Sequence, residues 1–440
     1  MRPLRLRARW ALPVDAPPIK DAALLIDADG RIAALGPHPG IATPEHAETH
    51  DLGSATLLPG LVNTHTHLEL TGFEEHAPEV EFRDWIQAIR RIKAARAPED
   101  FLAAARRGVR DCWGGGVTTV ADTGDSGSVI QALAELGGSG LVYQEVFGPH
   151  PEQLDESFGA LQRRVGELVR FAGRRVRLGV SPHAPYTVSG PLYSKVATWA
   201  RAESLPLAVH LAESLEEAEF VTWQRGPFAD AWKQRGIPLL DDQSHQPSAV
   251  SPQSPVPCTQ SPVTWLAAHG VLGPRTLCIH AIQLSAMDIA LLASCGASVA
   301  HCPLSNARHR HGSAPLGALR KAGIRVGLGT DSVASVGRLD LFAEARAARA
   351  LGGLTAEEAI ALCTLDGARA LGLDGEIGSL TVGKWGDVIA VDTGDGTELP
   401  ASPSEAVLSA ASASVRMTVI AGRVVHRSGS PLDLSRGWSV

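Results

Sequence analysis

Residues 58–67 read LPGLVNTHTH, an apolar run that ends in two histidines separated by one residue. Because alternate residues of a β-strand point to the same side, the imidazoles of His65 and His67 are expected to lie together at the end of this strand. Seven further apolar or β-branched runs follow, separated by helical patterns, which is typical of successive βα units. The eight runs are 58–64, 117–122, 140–146, 175–181, 206–211, 275–280, 297–302 and 325–331. We therefore predict an α/β fold with a TIM-like (β/α)8 barrel over residues 58–373.

Both ends of the chain depart from this pattern. Residues 1–57 and 374–440 contain short strand-like pieces, and neither stretch is long enough to bury a core of its own. We expect them to pair as one composite β-sandwich domain beside the barrel. Residues 241–262 contain five prolines and five serines, which excludes a helix or a central strand. This proline-rich segment is predicted to be a loop inserted in the barrel, where His245 and Cys258 are not expected to bind a metal.

The composition of the 440 residues limits the partners and the compartment. The formal net charge is −7, and no basic run alternates with aromatic residues, so a nucleic-acid partner is not expected. The apolar stretch after Trp10 is interrupted by Pro13 and Asp15, so neither a signal peptide nor a membrane span is predicted. The six cysteines lack CxxC spacing, which favours reduced thiols in a cytoplasmic protein that acts on small molecules.

The chain contains 16 histidines, and several of them fall at the ends of predicted strands. In a parallel barrel the C-terminal ends of all strands meet at one pocket. The polar residues at or just after these ends are His65, His67, His183, His210, Glu213, His280, His301 and Asp331. Three imidazoles and one carboxylate suit zinc, or iron or manganese, with one position left for water. The alternative is that each histidine is separately satisfied at its own strand end. We assign the metal to His65, His67, His210 and Asp331.

A second pair of histidines one residue apart, His309 and His311, lies in the stretch NARHRHG at 306–312. This spacing alone is weak evidence in a chain so rich in histidine. The stretch is polar and carries two arginines. We therefore predict that both imidazoles are solvated in a loop.

A series of motifs along nearly the whole chain resembles the amidohydrolase superfamily. The motifs are LLPGLVNTHTHLEL (57–70), GVTTVADTG (116–124), SPHAPYTVS (181–189), VHLAES (209–214), CIHAIQLS (278–285), HCPLSN (301–306), GLGTDS (327–332) and IGSLTVGKWGDVIAVD (377–392). The match is to the mononuclear aminohydrolase branch, which contains deaminases and triazine chlorohydrolases. Within this branch HTHLEL, FRDWIQAI (82–89) and HLAESLEEAEF (210–220) most resemble the aminodeoxyfutalosine deaminases of menaquinone biosynthesis. Binuclear relatives carry a lysine at the end of strand four, where this chain has the sequence SPH, so the resemblance implies a single metal.

The resemblance also implies catalytic roles. The four ligands assigned above would hold one divalent metal, Zn²⁺ before Fe²⁺ or Mn²⁺, which makes hydroxide available at neutral pH as the nucleophile. Asp331 and His280 would accept the proton of the attacking water. Glu213 would protonate the ring nitrogen next to the attacked carbon and then help to carry a proton to the leaving ammonia.

Three further residues are assigned to substrate binding by the same resemblance. They are His183, Glu69 and Asn306. Each has an alternative: His183 as a buttress of the pocket, Glu69 as a solvated loop carboxylate, and Asn306, together with Ser305, as a residue that orients the loop carrying His301.

The activity that this resemblance implies is metal-dependent hydrolytic deamination of an amino-heterocycle. A purine-like nucleoside is expected as substrate, with 6-aminodeoxyfutalosine as the first candidate. A chlorohydrolase or an amidase could use the same site, and a non-catalytic barrel scaffold is disfavoured because the whole ligand set is present. The expected partner is therefore a small heterocyclic molecule, without nucleic acid or membrane, and a homodimer is left open.

Overall fold

The computed structural model describes residues 1–74, 81–240, 260–394, 402–410 and 412–429. Its strands are β1 Leu4–Ala11, β2 Ile19–Ile26, β3 Ile32–Pro37, β4 Glu48–Asp51, β5 Ala55–Pro59, β6 Leu61–Thr66, β7 Val117–Gly124, β8 Gly140–Val146, β9 Val176–Pro182, β10 Leu207–Leu211, β11 Thr276–His280, β12 Ser298–His301, β13 Arg325–Leu328, β14 Val388–Asp392, β15 Val415–Ile420 and β16 Arg423–Arg427. Its helices are α1 Phe82–Ala94, α2 Pro98–Gly114, α3 Ser128–Leu136, α4 Leu154–Leu168, α5 Gly190–Ala202, α6 Leu215–Trp223, α7 Pro227–Gln234, α8 Pro262–Ala268, α9 Ala286–Cys295, α10 Pro303–Arg308, α11 Leu316–Lys321, α12 Val333–Val336, α13 Leu341–Gly352, α14 Ala356–Leu362, α15 Leu365–Ala370 and α16 Pro403–Ser409.

The predicted barrel is confirmed by strands β6 to β13, which lie side by side in chain order and pair in parallel. Helices connect these strands and cover the outside of the barrel, so the strands are buried on both faces. Strands β7 and β8 show this directly, since every residue in VTTVADTG and GLVYQEV is buried. The continuous apolar runs of the sequence are therefore those of a parallel sheet rather than of amphipathic strands.

The barrel closes between its first and last strands through a side chain rather than a regular ladder. Asn63 donates from Nδ2 to Thr330 Oγ1 at 2.8 Å, and its Oδ1 accepts from Thr330 N at 3.1 Å. Just beyond, Thr66 and Asp331 form an isolated parallel bridge, with Asp331 N donating to His65 O at 3.0 Å. Gly329 allows this approach, because a Cβ on it would lie 2.7 Å from His65 Cβ. Closure therefore brings Asp331 beside the histidines of β6.

The predicted β-domain made from both chain ends is confirmed as one mixed sheet, in the order β16-β15-β14-β5-β1-β2-β3, with β4 paired to β1. Strand β14 shows how this sheet packs. Val388 and Ala390 belong to the sheet's own core, whereas Ile389 and Val391 join the core of the barrel. The chain passes from sheet to barrel at Gly60, between β5 and β6. The domain limits 1–57, 58–373 and 374–440 stay a prediction.

Two other sequence predictions concern the insertion and the thiols. Residues 241–259 of the proline-rich segment, with His245 and Cys258, lie outside the described residues, and Pro262 at its end begins α8. The described cysteines are free thiols, of which Cys295 is partly exposed and the others are buried. Within the described ranges, no helix combines the length and the apolarity that crossing a membrane requires.

Candidate active site

The C-terminal ends of three strands bring four predicted metal ligands together. His65 lies in β6 and His67 directly follows it, and their ring centroids are 4.8 Å apart. His210, in β10, has its ring centroid 5.1 Å from that of His65. Asp331 follows β13, and its Oδ1 lies 3.8 Å from Nε2 of His65 and 3.7 Å from Nε2 of His67. The four side chains thus surround one point at the end of the barrel.

The hydrogen bonds of these histidines fit metal binding. His65 is 1% exposed, and neither of its ring nitrogens has a hydrogen-bond partner among the described residues. A buried polar group without a partner is costly unless something else binds it. His67 donates from Nδ1 to Thr123 O at 2.7 Å, which leaves the lone pair of Nε2 directed towards Asp331. His210 similarly uses Nδ1 towards His183 O at 3.3 Å. Such outer hydrogen bonds fix the ring tautomer of histidine ligands, so this group could hold a divalent metal.

The charges of the group also suit a cation. Burial lowers the pKa of His65, His67 and His210, so their imidazoles are neutral at neutral pH, as metal ligands must be. Burial alone would raise the pKa of Asp331, but the positive charge that His65, His67 and His280 carry when they are protonated holds it below its ordinary value. Ser305 adds to this by donating to Asp331 Oδ2 at 2.5 Å. The site therefore offers neutral nitrogens and one ionised carboxylate.

Backbone strain is concentrated at the same strand ends. Ala212, His280 and Asp331 have φ values of 52°, 70° and 60°. The left-handed region costs a residue with a side chain roughly 1–2 kcal/mol. Such strain persists where the surrounding structure imposes it, and it is frequent at active sites.

A second group, of Glu213, His280 and Asn306, lies beside the first. His280 donates from Nδ1 to Asn306 Oδ1 at 2.9 Å, which leaves a lone pair on Nε2. That Nε2 lies 3.5 Å from Oε1 of Glu213. Burial raises the pKa of Glu213 well above its ordinary value, and the nearby carboxylates of Asp331 and Glu217 raise it further. The site thus combines a neutral carboxylic acid, able to donate a proton, with a neutral imidazole able to accept one.

Glu213 is also held in place by its backbone. Glu217 accepts from Ala212 N at 2.7 Å and from Glu213 N at 3.0 Å. Since Glu217 lies in the first turn of α6, which Ser214 caps, the helix start fixes the segment that carries the acid.

Both groups open into one cavity of about 460 Å³. On one side Lys93, from α1, contacts Glu69 at 2.7 Å and Asp125 at 2.5 Å. Burial opposes ionisation of Glu69, but Lys93 and Ser126 lower its pKa to about 2. Arg90 and Arg235 also line the cavity, and neither guanidinium forms an ion pair with another described residue. Aromatic rings complete the wall, from Phe82, Trp85, Phe147 and Tyr186.

The three predicted substrate contacts have different positions. His183 lines the cavity, and its Nδ1 donates to Thr187 Oγ1 at 2.8 Å, which leaves Nε2 free for a ligand. Glu69 also lines the cavity and is 1% exposed, so the alternative of a solvated carboxylate is wrong. Asn306 is 1% exposed and lies behind His280. Its Oδ1 orients His280, while its buried Nδ2 has no partner among the described residues, so the substrate contact assigned to Asn306 stays a prediction.

The prediction that His309 and His311 are solvated is wrong. They are 5% and 7% exposed, and Arg310 between them has a φ of 59° that turns the chain back towards the barrel. His309 lines the cavity, with its ring centroid 4.8 Å from that of Trp85. His311 Nδ1 lies 3.5 Å from Glu213 Oε1. A local pattern of polar residues gave no sign of this turn, because it depends on one left-handed residue and on the packing of α1.

Sequence reasoning also missed residues that shape the site without standing at a strand end. Lys93 lies eight residues after Trp85 and four after Ile89 on α1, and all three line the cavity. This i, i+4, i+8 spacing on one helix face was the available signal. Glu145, at the end of β8, lines the cavity too, and burial raises its pKa well above the ordinary value.

Comparisons with known proteins agree with this geometry. A model of the amidohydrolase family matches residues 56–425. A 5-methylthioadenosine/S-adenosylhomocysteine deaminase of Teredinibacter turnerae is 32% identical over 406 residues, which cover 89% of this chain and 84% of the relative. An aminodeoxyfutalosine deaminase of Deinococcus radiodurans is 33% identical over 330 residues, which cover 73% of this chain and 75% of the relative. A zinc-bound adenosine deaminase of Xanthomonas campestris has a TM-score of 0.81 at 27% identity, covering 96% of this chain and 92% of that one.

The family match extends from β5 to β16 and so includes the barrel and the strands β5, β14, β15 and β16 of the second sheet, but not β1 to β4. The resemblance drawn from the motifs is confirmed, and with it the prediction of a hydrolase that acts on C–N bonds. On the length of this match, the chain belongs to the amidohydrolase family.

Proposed function

We propose that this protein is a metal-dependent deaminase that replaces the 6-amino group of an adenine nucleoside by oxygen and releases ammonia. The observation that carries the proposal is the buried carboxyl group of Glu213, which lies 3.5 Å from Nε2 of His280 and beside four potential metal ligands. Burial raises the pKa of Glu213, which favours its protonated form. Hydrolytic deamination needs a proton acceptor for water and a proton donor for the ring, and the two groups supply them.

The ligands proposed for the metal are His65, His67, His210 and Asp331, with zinc as the first choice and iron or manganese as alternatives. A divalent metal held there would supply a water molecule whose pKa is lowered towards neutrality. The proton transfers are assigned to side chains of the protein. His280 is oriented by Asn306 so that the lone pair of Nε2 is available to the attacking water, and the ionised Asp331 is a second acceptor.

Glu213 is proposed to act on the substrate ring. It gives its proton to N1 of the purine as the oxygen of water bonds to C6, so that negative charge does not collect on the ring. The Glu213 carboxylate then takes the proton of the new C6 hydroxyl group and passes it to the 6-amino nitrogen, so that the C6–N bond breaks and ammonia leaves. The proton that His280 or Asp331 took from water returns to Glu213 and restores the acid. The products are ammonia and a 6-oxopurine nucleoside, so atoms and protons balance against substrate and water.

The rest of the cavity is proposed to select the nucleoside. Glu69 and His183 are the first candidates for contacts with the ribose and the base, since both line the cavity with unused acceptor or donor capacity. Arg90 and Arg235 favour a substrate with an anionic substituent, because they form no ion pair within the described residues. We therefore keep 6-aminodeoxyfutalosine, which carries a benzoate, as the first candidate, which would place the enzyme in menaquinone biosynthesis. The relative from Deinococcus radiodurans bears the name of that activity.

The test is ammonia release by the zinc-loaded enzyme from a panel of nucleosides. The panel contains 6-aminodeoxyfutalosine, S-adenosylhomocysteine, 5′-methylthioadenosine, 5′-deoxyadenosine and adenosine, with guanine, cytosine and a chlorotriazine as other chemistries. Deamination of an adenine nucleoside supports the proposal. A fully metal-loaded enzyme that deaminates none of them contradicts it, and chloride release from the triazine would favour the chlorohydrolase alternative.

The arginines give the substrate assignment its own test. We expect Arg90→Gln and Arg235→Gln to raise KM at least about tenfold, or roughly 1.4 kcal/mol, for the two carboxylate-bearing nucleosides. The KM for uncharged 5′-methylthioadenosine should stay within about twofold. Arg83→Gln is the matched control, because Arg83 is exposed on the same helix and does not line the cavity. An equal effect on charged and uncharged substrates would refute an anion-binding role.

A further inference from the structure

His311 is a buried imidazole to which the proposed reaction assigns no role. Its side chain is 4% exposed, and its Nδ1 lies 3.5 Å from Oε1 of Glu213. Neither ring nitrogen has a hydrogen-bond partner among the described residues. A buried polar group without a partner is unfavourable. We therefore expect the His311 imidazole beside Glu213 to have a function.

The ring of His311 is held firmly in this place. Its backbone N donates to Asn306 O at 2.9 Å, and its carbonyl accepts from Gln283 Nε2 at 2.7 Å. The ring of Phe82, from α1, packs edge to face against it with centroids 4.6 Å apart and planes at 89°. The imidazole therefore lies between Phe82 and Glu213 and has little freedom to turn away.

Asn306 links His311 to His280. Its side-chain Oδ1 accepts from His280 Nδ1, and its backbone oxygen accepts from His311 N. As a result, Nε2 of His280 and Nδ1 of His311 both lie 3.5 Å from the same oxygen, Oε1 of Glu213. Glu213 itself lines the cavity, and we infer that its other oxygen, Oε2, is the one that meets a substrate there.

The position of His280 beside Oε1 offers the proton of Glu213 a second acceptor, although this proton must go to the substrate. If Glu213 carried its proton on Oε1, the nearest acceptor would be the free lone pair of His280 Nε2, and the proton would be directed away from the substrate. A donor that occupies Oε1 removes this alternative, because an oxygen that accepts an N–H bond is the poorer place for the acidic proton.

We propose that His311 is a positioning residue, which carries its own proton on Nδ1 and donates it to Oε1, so that Glu213 presents its acidic proton on Oε2. This inference rests on the proposed function of Glu213 as the proton donor. The distance of 3.5 Å is that of the ligand-free site. Catalytic hydrogen bonds are often long in such sites and shorten when substrate binds.

The first test is the tautomer of His311, measured by NMR of the zinc-loaded full-length protein labelled with ¹⁵N-histidine. The resonance is assigned by its loss in His311→Asn. We expect a proton on Nδ1 and none on Nε2. The opposite tautomer would make Nδ1 an acceptor of the carboxyl proton and would overturn the proposal, whatever the substrate of the enzyme proves to be.

The second test separates positioning from packing by kinetics. His311→Leu removes the donor, whereas the side-chain N–H of His311→Asn lies close to the place of Nδ1. We expect His311→Leu to lower kcat about 10- to 100-fold and to change KM by no more than about threefold. His311→Asn should keep most of the kcat of the parent enzyme. His269→Leu is the control, because His269 bonds to Ser194 outside the cavity and should keep its activity.

The outcomes of the kinetic test are distinct. An unchanged kcat in His311→Leu would contradict the inference. Failure of both variants to fold or to bind zinc would show a structural role and would contradict it as well. Absence of deaminase activity in the parent enzyme would instead refute the proposed function and leave the tautomer measurement as the test of the Glu213–His311 contact.

Discussion

Two carboxyl groups of this cavity have opposite ionisation because their surroundings differ. Asp331 accepts hydrogen bonds from the Ser305 hydroxyl and from the backbone N of Ser332, and its pKa is held low, whereas burial and the carboxylates of Asp331 and Glu217 raise the pKa of Glu213. Paired titratable groups with pKa values pushed apart are the usual sign of an acid and a base with separate tasks. At the residue scale, the proposed reaction therefore depends on an ionised carboxylate at Asp331 and a protonated carboxyl group at Glu213.

The role of Glu213 is tested by Glu213→Gln. The amide keeps the shape of the side chain but has no acidic proton, so we expect kcat to fall by about 10²-fold or more, as for a lost general acid. Zinc content, measured by inductively coupled plasma mass spectrometry, should stay at one equivalent because Glu213 is not a ligand. Glu216→Gln is the control, because Glu216 is exposed in the first turn of the following helix, α6, and this variant should keep its rate. A Glu213→Gln enzyme with a near-normal rate would remove Glu213 from the mechanism.

At this scale the sequence predicted the polar residues at the strand ends. It did not predict the residues that reach the site only through tertiary packing. His65, His67, His210 and Asp331 could be assigned because the topology of a parallel barrel converges those ends. For Asn306 the motif predicts a place near the pocket but not the direction of its amide, so its contact with the substrate stays a prediction. His311 was missed because its approach to Glu213 depends on the left-handed backbone of Arg310.

At the element scale, the contact of β13 with β6 decides whether the metal ligands meet. Asn63 bridges the two strands and also accepts from His65 N at 3.3 Å, and it is fully buried. We expect Asn63→Ala to lower the free energy of unfolding by about 2–4 kcal/mol, because the backbone N–H groups of Thr330 and His65 lose their acceptor. Zinc affinity should fall as well, since Asp331 loses its fixed position.

Urea denaturation of the metal-free protein and competition with a zinc chelator measure these two effects. Thr64→Val is the matched control on the same strand, because the hydroxyl of Thr64 is buried and has no partner among the described residues. Thr64→Val should lower the free energy of unfolding by less than about 1 kcal/mol and leave zinc binding unchanged. Equal effects of the two substitutions would mean that Asn63 only fills space.

Helix α1 contributes a buried ion pair whose stabilisation depends on pH. Because Lys93 holds the pKa of Glu69 at about 2, below the ordinary 4.5, the pair stabilises the fold above pH 5 and loses this effect as pH falls towards 2. We expect Lys93→Met to cost about 3–5 kcal/mol near neutral pH, since it leaves Glu69 buried without a cation. The difference from the parent should shrink as the pH falls below about 5.

Thermal unfolding at pH 7, 5 and 4 checks this prediction. The double variant Lys93→Met, Glu69→Gln should recover part of the loss at pH 7, because it removes the unpaired charge. A stability difference that is the same at every pH would mean that packing of the Lys93 stem, and not its charge, supports the helix.

The elements themselves show where sequence patterns are sufficient. Predicted runs such as 140–146 and 206–211 nearly coincide with β8 and β10, since buried parallel strands are continuous apolar stretches bounded by polar residues. The first run was misplaced because LPGLV contains the end of β5 and the start of β6, on either side of Gly60. Hydropathy cannot tell which of two sheets a buried residue joins.

At the scale of the whole molecule, the sheet from the two chain ends has a core of its own and also contributes side chains to the core of the barrel. Leu12 and Leu58 from the N-terminal part and Ile389 and Val415 from the C-terminal part all pack with barrel residues. Neither end has enough apolar surface to fold alone, so the sequence could predict their pairing. It could not predict the polar contacts that join sheet to barrel, because they link residues far apart in the chain.

Asp387 is the centre of those contacts and supplies the last prediction. It accepts from Arg175, at the start of β9, at 2.6 Å and from Ala421 N, in the turn between β15 and β16, at 2.9 Å. Its side chain is 3% exposed, and that of Arg175 is 11% exposed. Removing one partner of a buried pair costs about 3–5 kcal/mol, because the remaining charge is left without compensation. Arg177, two residues further along, forms a pair of the same length with Glu376, but those side chains are 42% and 37% exposed.

We therefore expect Arg175→Met to lower the midpoint of thermal unfolding by several degrees, whereas Arg177→Met should cost less than about 1 kcal/mol, as exposed pairs do. Calorimetry should show a single transition in both variants, because the shared core couples the sheet to the barrel. Two separate transitions in Arg175→Met would mean that the sheet and the barrel unfold independently. In that case the ion pair would serve to dock two stable units rather than to complete one.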